Sequence, residues 1–191
     1  MGGGRWVVKL WLLRHARVDL APGLCYGASD VPAHADLTHA SAETLAPVIP
    51  QGAPLWVSGL GRARQLAEAI RLLRPDLEPL HTDARLNEMD FGQWELQRWD
   101  AIPRHAFDAW MAEFAHHRFG GAESTQQVID RVFDALSETR QTGRPEAVWV
   151  THAGVIRAVQ YLAVHGARPI QDASEWPADA PEPGGHLCLT L

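Results

Sequence analysis

The sequence predicts an α/β protein whose central sheet is largely parallel and carries helices on both faces. Three short apolar runs, rich in Val, Leu and Trp, lie at residues 6–13, 55–58 and 147–151. Unbroken apolar runs of this length are typical of strands buried on both faces of a sheet. Segments with apolar residues at helical spacing lie between and after these runs. Strands that alternate with helices in this way favour a parallel sheet with helical crossovers.

The other elements are predicted from apolar spacing and from the Gly and Pro residues that interrupt it. Helices are expected at residues 38–49 with Thr38 as the cap, 62–74, 99–114 with a break at Pro103, 123–140, and from after Gly154 to about residue 164. Short strands are expected at residues 79–81 and, as an edge strand, at 187–191. The stretches 22–32 and 177–185 are punctuated by Gly or Pro and are predicted loops.

Length and composition predict one domain over residues 1–191, with a helical insert at about residues 93–122. A net charge of −6 argues against a nucleic-acid or anionic-membrane surface. Two cysteines, Cys25 and Cys188, do not suggest a disulfide framework. The first apolar run is too short for a signal peptide or a membrane span, so a cytoplasmic location is expected. The sequence does not indicate an oligomeric state.

Chemically useful side chains follow each of the three apolar strands. The first strand leads to Arg14 and His15, the second to Ser58 and then Arg62, and the third to Thr151 and His152. Ligands of open α/β sheets bind beyond the carboxyl ends of parallel strands, where helix N-termini favour anions. Two arginines and two imidazoles at that edge therefore predict a phosphate site.

These residues resemble the histidine phosphatase (phosphoglycerate mutase-like) superfamily, in the family's order and over most of the chain. Arg14-His15-Ala16 corresponds to the family's Arg-His-Gly, and residues 58–63 resemble its Ser-Pro-Leu-x-Arg-Ala segment. Residues 86–95 are similar to Leu-x-Glu-x-x-x-Gly-x-Trp-Glu, and His152-Ala153-Gly154 is similar to the second histidine motif. The resemblance implies a three-layer α/β/α fold and phosphoryl transfer through a phosphohistidine.

The roles implied by the resemblance agree with the chemistry of the residues. His15 is expected to be the nucleophile, and Arg14, Arg62 and His152 are expected to surround the phosphoryl oxygens. Glu88 is expected to give a proton to the leaving alkoxide and later to take one from water. Arg17, Tyr26 and Trp94 are further candidates for substrate or phosphate binding. No cofactor is expected, and no metal, since pairs such as His116-His117 lack a third ligand at metal spacing.

The chain departs from the family's pattern at several small residues. Ala16 stands where the family has Gly, and Gly59, Leu66 and Ala153 replace Pro, Thr and Gly. Ala122 interrupts a segment that resembles Gly-Gly-Glu-Ser. None of these changes removes a reacting group, although the Ala16 methyl lies where the backbone has to approach phosphate.

The substrate is predicted from three stretches that look most like the α-ribazole phosphatase branch, which removes the 5′-phosphate of a ribosyl-dimethylbenzimidazole nucleotide. These stretches are residues 23–32, 88–92 and 99–103. Aromatic residues in this part of the chain could line a pocket for a flat base, although a core position is favoured for two of them, Phe107 and Trp110. Phosphatases of other sugar phosphates or nucleotides, and a catalytically silent binding protein on the same fold, remain alternatives. A mutase is less favoured because the segment between Glu88 and His152 is short.

Overall fold

The computed structural model describes residues 7–191, and its centre is a five-stranded sheet. The strands are β1 (Lys9–Arg14), β2 (Leu55–Val57), β3 (Leu80–Thr82), β4 (Glu146–Thr151) and β5 (His186–Thr190). Their order across the sheet is β3-β2-β4-β1-β5, and β5 alone of these five runs antiparallel, beside β1. Trp6, where the first apolar run begins, lies outside the described residues.

Helices cover both faces of the sheet, as the sequence predicts. On one face, α1 (Ala35–Leu45) and α2 (Gly61–Leu73) enclose a core to which Leu13, Leu55 and Val150 contribute. On the other face, α4 (Thr125–Gln141) and α5 (Ala153–His165) pack over Leu10, Leu12 and Trp149. Adjacent strand residues such as Leu12 and Leu13 therefore enter opposite cores, which confirms the three-layer α/β/α interpretation of the apolar runs.

The register of the sheet brings the three functional strand ends together. Arg14 lies opposite Thr151 in the parallel β1–β4 pair. The next residue continues the pairing, since the backbone N–H of His15 donates to the carbonyl oxygen of Thr151 at 3.1 Å. Ser58 N–H donates to the carbonyl oxygen of Val150 at 3.1 Å. Each strand therefore delivers its last residues to the same edge.

The segment at residues 93–122 forms short helical pieces around an aromatic cluster. A 3₁₀ turn at Trp99–Ala101 precedes α3 (Arg104–Ala112), and the break falls at Pro103, as predicted. Phe119 is fully buried at the centre of the cluster and packs against the residues Phe91, Trp94, Trp99, Phe107 and Trp110.

The predicted bounds of the first helix are wrong at both ends, since its last predicted turn, at Ala46–Val48, is a 3₁₀ turn. The first helix begins at Ala35, so Thr38 lies inside it and is not its cap. The Thr38 hydroxyl instead donates to the carbonyl oxygen of His34 at 2.8 Å, within the helix. This local bond is an alternative that threonine has to capping, and the spacing of apolar residues does not distinguish the two.

Candidate active site

His15 lies immediately beyond β1 and is almost completely buried. Its Nδ1 lies 2.7 Å from the carbonyl oxygen of Ala16. A carbonyl only accepts hydrogen bonds, so in the neutral ring Nδ1 carries the proton and Nε2 carries the lone pair. Burial, together with the nearby Arg62 and Arg14 guanidinium groups, lowers the pKa of His15 to about 3. The ring is therefore a neutral nucleophile near pH 7.

Ala16 supports this arrangement rather than disturbing it. Its carbonyl holds the His15 tautomer, and its side chain is buried. Among residues 7–191 the non-glycine residue with a positive φ is Leu96, so Ala16 has a backbone conformation that any residue adopts. The backbone geometry at this position therefore does not require the glycine that the family's signature has.

Arg62 stands in the first turn of α2 with no exposed surface. Two of its guanidinium nitrogens donate to loop carbonyls, Nη1 to Ser29 O at 2.7 Å and Nη2 to Gly27 O at 2.6 Å. Its Nε lies 3.3 Å from His15 Nε2. Burial lowers the pKa of Arg62, but an arginine remains charged at physiological pH. Arg62 Nε thus donates a long hydrogen bond to the Nε2 lone pair of His15, which has to be released when that nitrogen attacks phosphorus.

His152 is the N-cap residue of α5, and its ring centroid lies 5.0 Å from that of His15. Its Nε2 lies 2.7 Å from Ser58 Oγ. The Ser58 hydroxyl itself donates to Asn87 Oδ1, which also accepts from Gly59 N–H and must therefore be the amide oxygen. The Ser58 hydrogen is committed to Asn87, so His152 Nε2 carries a proton and donates to Ser58.

The second ring nitrogen of His152, Nδ1, is buried and has no hydrogen-bond partner in the described part of the chain. Burial and the neighbouring His15 and Arg62 lower the pKa of His152 well below its ordinary value. A buried nitrogen without a partner is costly, so a ligand that donates to it would be favoured. A phosphate group that carries one proton is such a ligand.

Arg14 is the last residue of β1, and its Nη1 donates to the carbonyl oxygen of Pro181 at 2.8 Å. Its Nε is buried without a hydrogen-bond partner among the described residues. Burial lowers the pKa of Arg14, and the nearby Tyr26 and Glu88 oppose this effect, so both groups lie close to its guanidinium. Arg14 thus has a donor available for an anion.

Glu88 packs against the start of α5. Its carboxylate accepts from Gly154 N–H at 3.1 Å and from Met89 N–H at 3.0 Å. A β-carbon at Gly154 would collide with Glu88 Oε1, so a residue without a side chain is needed there for this approach. The sequence motif that contains Gly154 therefore positions the carboxylate as well as His152.

Glu88 lies between two cavities. A cavity of about 110 Å³, here called the aromatic cavity, is lined on one side of it by Met89, Phe91, Trp110, Thr125, Val128, Gly154, Arg157 and Trp176. A more polar cleft on its other side is lined by Ala28, Ala84, Asn87, Asp90, Ala122, Glu123, Gln127 and Arg131. One carboxylate thus faces both an aromatic pocket and a polar cleft.

The remaining candidate residues from the sequence differ in how near they lie to His15 and Arg62. Tyr26 is close, because the Arg62 guanidinium lies 5.4 Å from its ring centroid. Arg17 is exposed and lines a groove between α1 and residues 182–184. Trp94 packs on Phe119 in the aromatic cluster. Phe107 belongs to that cluster, while Trp110 both stacks on Phe119 and lines the aromatic cavity.

Sequence reasoning missed several residues that organise the site. Asn87 connects Ser58 to Gly59, Asp30 accepts from Gly61 N–H at 2.6 Å at the start of α2, and Arg157 lines the aromatic cavity. Glu95 accepts several hydrogen bonds from residues 27–29. Their positions in the sequence could have indicated three of them. Asn87 and Glu95 belong to the stretch that resembles a family motif, and Asp30 belongs to a stretch that resembles one branch of the family.

The arrangement can accept a phosphoryl group. Two buried imidazoles and two arginines meet at the carboxyl ends of parallel strands, close to the N-termini of α2 and α5. Helix N-termini and guanidinium groups stabilise the charge that spreads over phosphoryl oxygens during transfer. Within residues 7–191, no group of three or more His, Cys, Asp or Glu side chains is placed to hold a metal ion.

This α/β fold, with imidazoles and guanidinium groups at the edge of its sheet, suits a protein that binds a phosphoryl group. A model of the histidine phosphatase superfamily (branch 1) matches residues 10–179. The chain therefore belongs to the histidine phosphatase superfamily, whose members are phosphatases or mutases that act through a phosphohistidine.

Solved structures share the fold. A phosphoglycerate mutase from Thermus thermophilus is 27% identical, with 96% of each chain covered and a TM-score of 0.71. A mycobacterial glucosyl-3-phosphoglycerate phosphatase is 24% identical over 82% of this chain and 79% of its own, with a TM-score of 0.70. A mycobacterial hydrolase is 23% identical over 96% and 91%, with a TM-score of 0.78. No curated protein sequence matches this chain.

None of the helices in residues 7–191 is both long enough and apolar enough to cross a membrane.

Proposed function

We propose that this protein is a metal-independent phosphomonoesterase that acts through a phosphohistidine on His15. The Nε2 lone pair attacks phosphorus, the bond to the ester oxygen breaks, and Glu88 gives a proton to the leaving alkoxide. Water then attacks the phosphohistidine, Glu88 takes a proton from it, and the P–N bond breaks. Inorganic phosphate leaves, and both residues return to their starting states.

The observation that carries this proposal is the fixed tautomer of His15. Its Nδ1–H is held by the Ala16 carbonyl, so Nε2 carries the lone pair, which accepts a long hydrogen bond of 3.3 Å from Arg62 Nε. Because the pKa of His15 is lowered to about 3, the ring does not need a separate base near pH 7. The cation of Arg62 stabilises negative charge at the position where the ring would attack.

Hydrolysis is supported by the surroundings of Glu88. A proton donor to the leaving group has to face the cavity that holds this group, and a base for water has to face solvent. Glu88 lines both the aromatic cavity and the polar cleft, so a single carboxylate has access to both partners.

The first-choice substrate is α-ribazole 5′-phosphate. Phe91, Trp110 and Trp176 line the cavity beside Glu88, and flat aromatic bases bind well between such rings. The Thr125 hydroxyl, which accepts from Trp110 Nε1 at 3.3 Å, adds a polar group for a sugar or a ring nitrogen. Sugar phosphates and nucleotides with smaller leaving groups would bury less of this aromatic surface.

A second candidate substrate class is favoured by Arg157, which also lines the aromatic cavity. In the described part of the chain its guanidinium donates one hydrogen bond, at 3.1 Å to Ala178 O, which leaves further N–H groups for a ligand. Such a cation favours a leaving group with a carboxylate. Two proteins with the same fold are named as a phosphoglycerate mutase and a glucosyl-3-phosphoglycerate phosphatase, and a glycerate is a carboxylate. Both names are consistent with this substrate class.

Hydrolysis of p-nitrophenyl phosphate, measured with and without EDTA, tests the reaction. We expect hydrolysis that EDTA does not change and that His15→Ala abolishes, with an acid-labile, alkali-stable phosphoenzyme in the unsubstituted protein. Full activity of His15→Ala, or loss of activity on chelation, would overturn the mechanism. No activity on any ester would support the alternative of a silent binding protein. A panel that contains α-ribazole 5′-phosphate and 3-phosphoglycerate then separates the two substrate classes.

A further inference from the structure

The carboxylate of Glu95 occupies an anion-binding turn that is part of the chain itself. It accepts hydrogen bonds from the backbone N–H groups of Gly27, Ala28 and Ser29, with shortest distances of 2.9, 3.0 and 3.2 Å. It also accepts from the Ser29 hydroxyl at 2.6 Å and from Phe91 N–H at 2.9 Å. Burial acts to raise the pKa of Glu95, but these hydrogen bonds outweigh it and hold the pKa below its ordinary value. The group is therefore a carboxylate with five donors.

The same three residues, here called the 27–29 loop, hold Arg62 from their other side. Their N–H groups point to Glu95, while the carbonyl oxygens of Gly27 and Ser29 accept from the Arg62 guanidinium at 2.6 and 2.7 Å. The peptide dipoles of the loop thus lie between a carboxylate and a guanidinium, with the favourable sign towards each. Arg62 in turn places its Nε 3.3 Å from His15 Nε2.

The surrounding backbone leaves this loop little freedom to relax. Gly27 fits so closely that a β-carbon there would collide with the carbonyl oxygen of Met89. Just before the loop, Cys25 and Leu96 are joined by a hydrogen bond from Leu96 N–H to Cys25 O at 2.7 Å. Cys25 N–H donates to Gln97 O at 2.8 Å. Glu95 extends this pairing from residue 25 to the 27–29 loop.

We propose that Glu95 is a positioning residue that fixes the Arg62 guanidinium beside His15 by holding the 27–29 loop between them. Glu95 makes no hydrogen bond to His15 or Arg62 in the described part of the chain, although its charge lies within electrostatic range of Arg62. The hydrogen-bonded path from Glu95 to Arg62 passes through the loop carbonyls. This inference rests on the proposed function, because it makes Arg62 a phosphoryl-binding group. In Glu95→Gln an NH₂ group would face the loop N–H donors, and the loop would move away with the carbonyls that orient Arg62.

A double-mutant cycle tests the path through Arg62. Orthovanadate, which resembles a phosphoryl group in transfer, is the probe, and its affinity is measured by calorimetry on the full chain. We expect Glu95→Gln to weaken vanadate binding at least roughly tenfold when Arg62 is present and less than about threefold in an Arg62→Lys background. Equal factors in both backgrounds, or no change in either, would overturn the proposal.

Asp76→Asn is the matched control. Asp76 is another carboxylate with several hydrogen bonds, to Arg74 and to Gly52 N–H, but it lies beyond the far end of α2. The Asp76→Asn substitution should leave the affinity for vanadate unchanged. If Glu95→Gln does not fold, Ser29→Ala removes only the hydroxyl donor, and an affinity loss of two- to fivefold is then expected. An unchanged affinity in that variant would contradict the proposal.

Different results would contradict the proposed function and the inference about Glu95. If the unsubstituted protein hydrolyses no ester, the proposed function is wrong, whereas the cycle in vanadate binding still decides whether Glu95 acts through Arg62. If hydrolysis occurs and the cycle is additive, the proposed function stands and Glu95 only stabilises the fold.

Discussion

The phosphoryl side and the leaving-group side of the proposed active site are built in different ways. On the phosphoryl side, His15, Arg62 and His152 are buried at strand ends or helix starts, and backbone groups fix the orientation of His15 and Arg62. On the leaving-group side, the aromatic cavity is lined by residues from five separated parts of the chain, from Met89 to Trp176.

We expect the phosphoryl side to carry the chemistry and the leaving-group side to determine substrate specificity. A phosphoryl group has the same oxygens in every substrate, so the groups that bind it can be held rigidly by the sheet and by short loops. The leaving group varies between substrates, and the residues proposed to meet it come from the loop at 88–91, from α3, from Trp176 and from the starts of α4 and α5. The loop residues among them change more readily than a core does. Substitutions on the two sides should therefore have distinct kinetic signatures.

Arg62→Lys, on the phosphoryl side, should have the largest effect. Lysine keeps the charge but cannot bond both Gly27 O and Ser29 O while presenting a planar fork to the phosphoryl oxygens. We expect kcat for p-nitrophenyl phosphate to fall by about 10²- to 10³-fold. Arg64→Lys, an exposed substitution two residues further along α2, is the control and should stay near the unsubstituted rate. Comparable losses in both variants would show that α2, not the Arg62 fork, is what matters.

Glu88→Gln tests the proposed proton donor, which lies between the phosphoryl side and the leaving-group side. Glutamine cannot donate the proton that an alkoxide needs, whereas p-nitrophenolate leaves readily without one. We expect kcat to fall by about 10²-fold for an alkyl phosphate and much less for p-nitrophenyl phosphate in the phosphorylation step. Single-turnover measurements with both esters separate that step from hydrolysis of the phosphoenzyme. An equal loss for both esters would remove Glu88 from the role of proton donor.

The phosphoryl side could be predicted from the sequence because its information is local. A buried strand ends at a definite residue and parallel strands end at one edge, so the sequence alone places Arg14, His15, Ser58 and His152 together. The sheet itself was predictable for the same reason. The misplaced start of α1 shows where local information is ambiguous, since Thr38 can cap a helix or bond within one.

The leaving-group side was not predictable in this way, because helical spacing does not say which aromatic ring faces a cavity. Trp94 packs on Phe119, whereas Trp176, which carried no signal in the sequence, lines the cavity. Arg157 and Glu95 act through contacts with distant segments, at Ala178 and at residues 27–29. Such pairings depend on how the loops pack over the finished sheet.

A pair of cavity substitutions sharpens the choice between the two substrate classes. Trp176→Leu removes aromatic surface, so KM should rise roughly three- to tenfold for α-ribazole 5′-phosphate and change little for 3-phosphoglycerate. Arg157→Leu should do the reverse, with a KM increase of about tenfold for the carboxylate-bearing ester. Each variant is the matched control for the other. If both variants alter KM equally for both esters, the aromatic cavity does not distinguish between leaving groups.

The smallest predicted effect concerns stability, and it tests whether the two imidazoles on the phosphoryl side are neutral. Burial lowers the pKa of His15 to about 3 and that of His152 well below 6.5, so the unfolded chain binds protons that the folded chain does not. The free energy of unfolding should therefore fall as the pH is lowered through 6.5, by about 1.5 kcal/mol for His15 between about pH 6.5 and 5, and His152 should add to this fall. Urea unfolding at several pH values measures this slope, which should be shallower in His15→Gln than in the Arg64→Lys control. An unchanged slope would mean that folding does not lower the pKa of His15. The ring would then be partly protonated near pH 6.5, and a protonated ring cannot attack phosphorus.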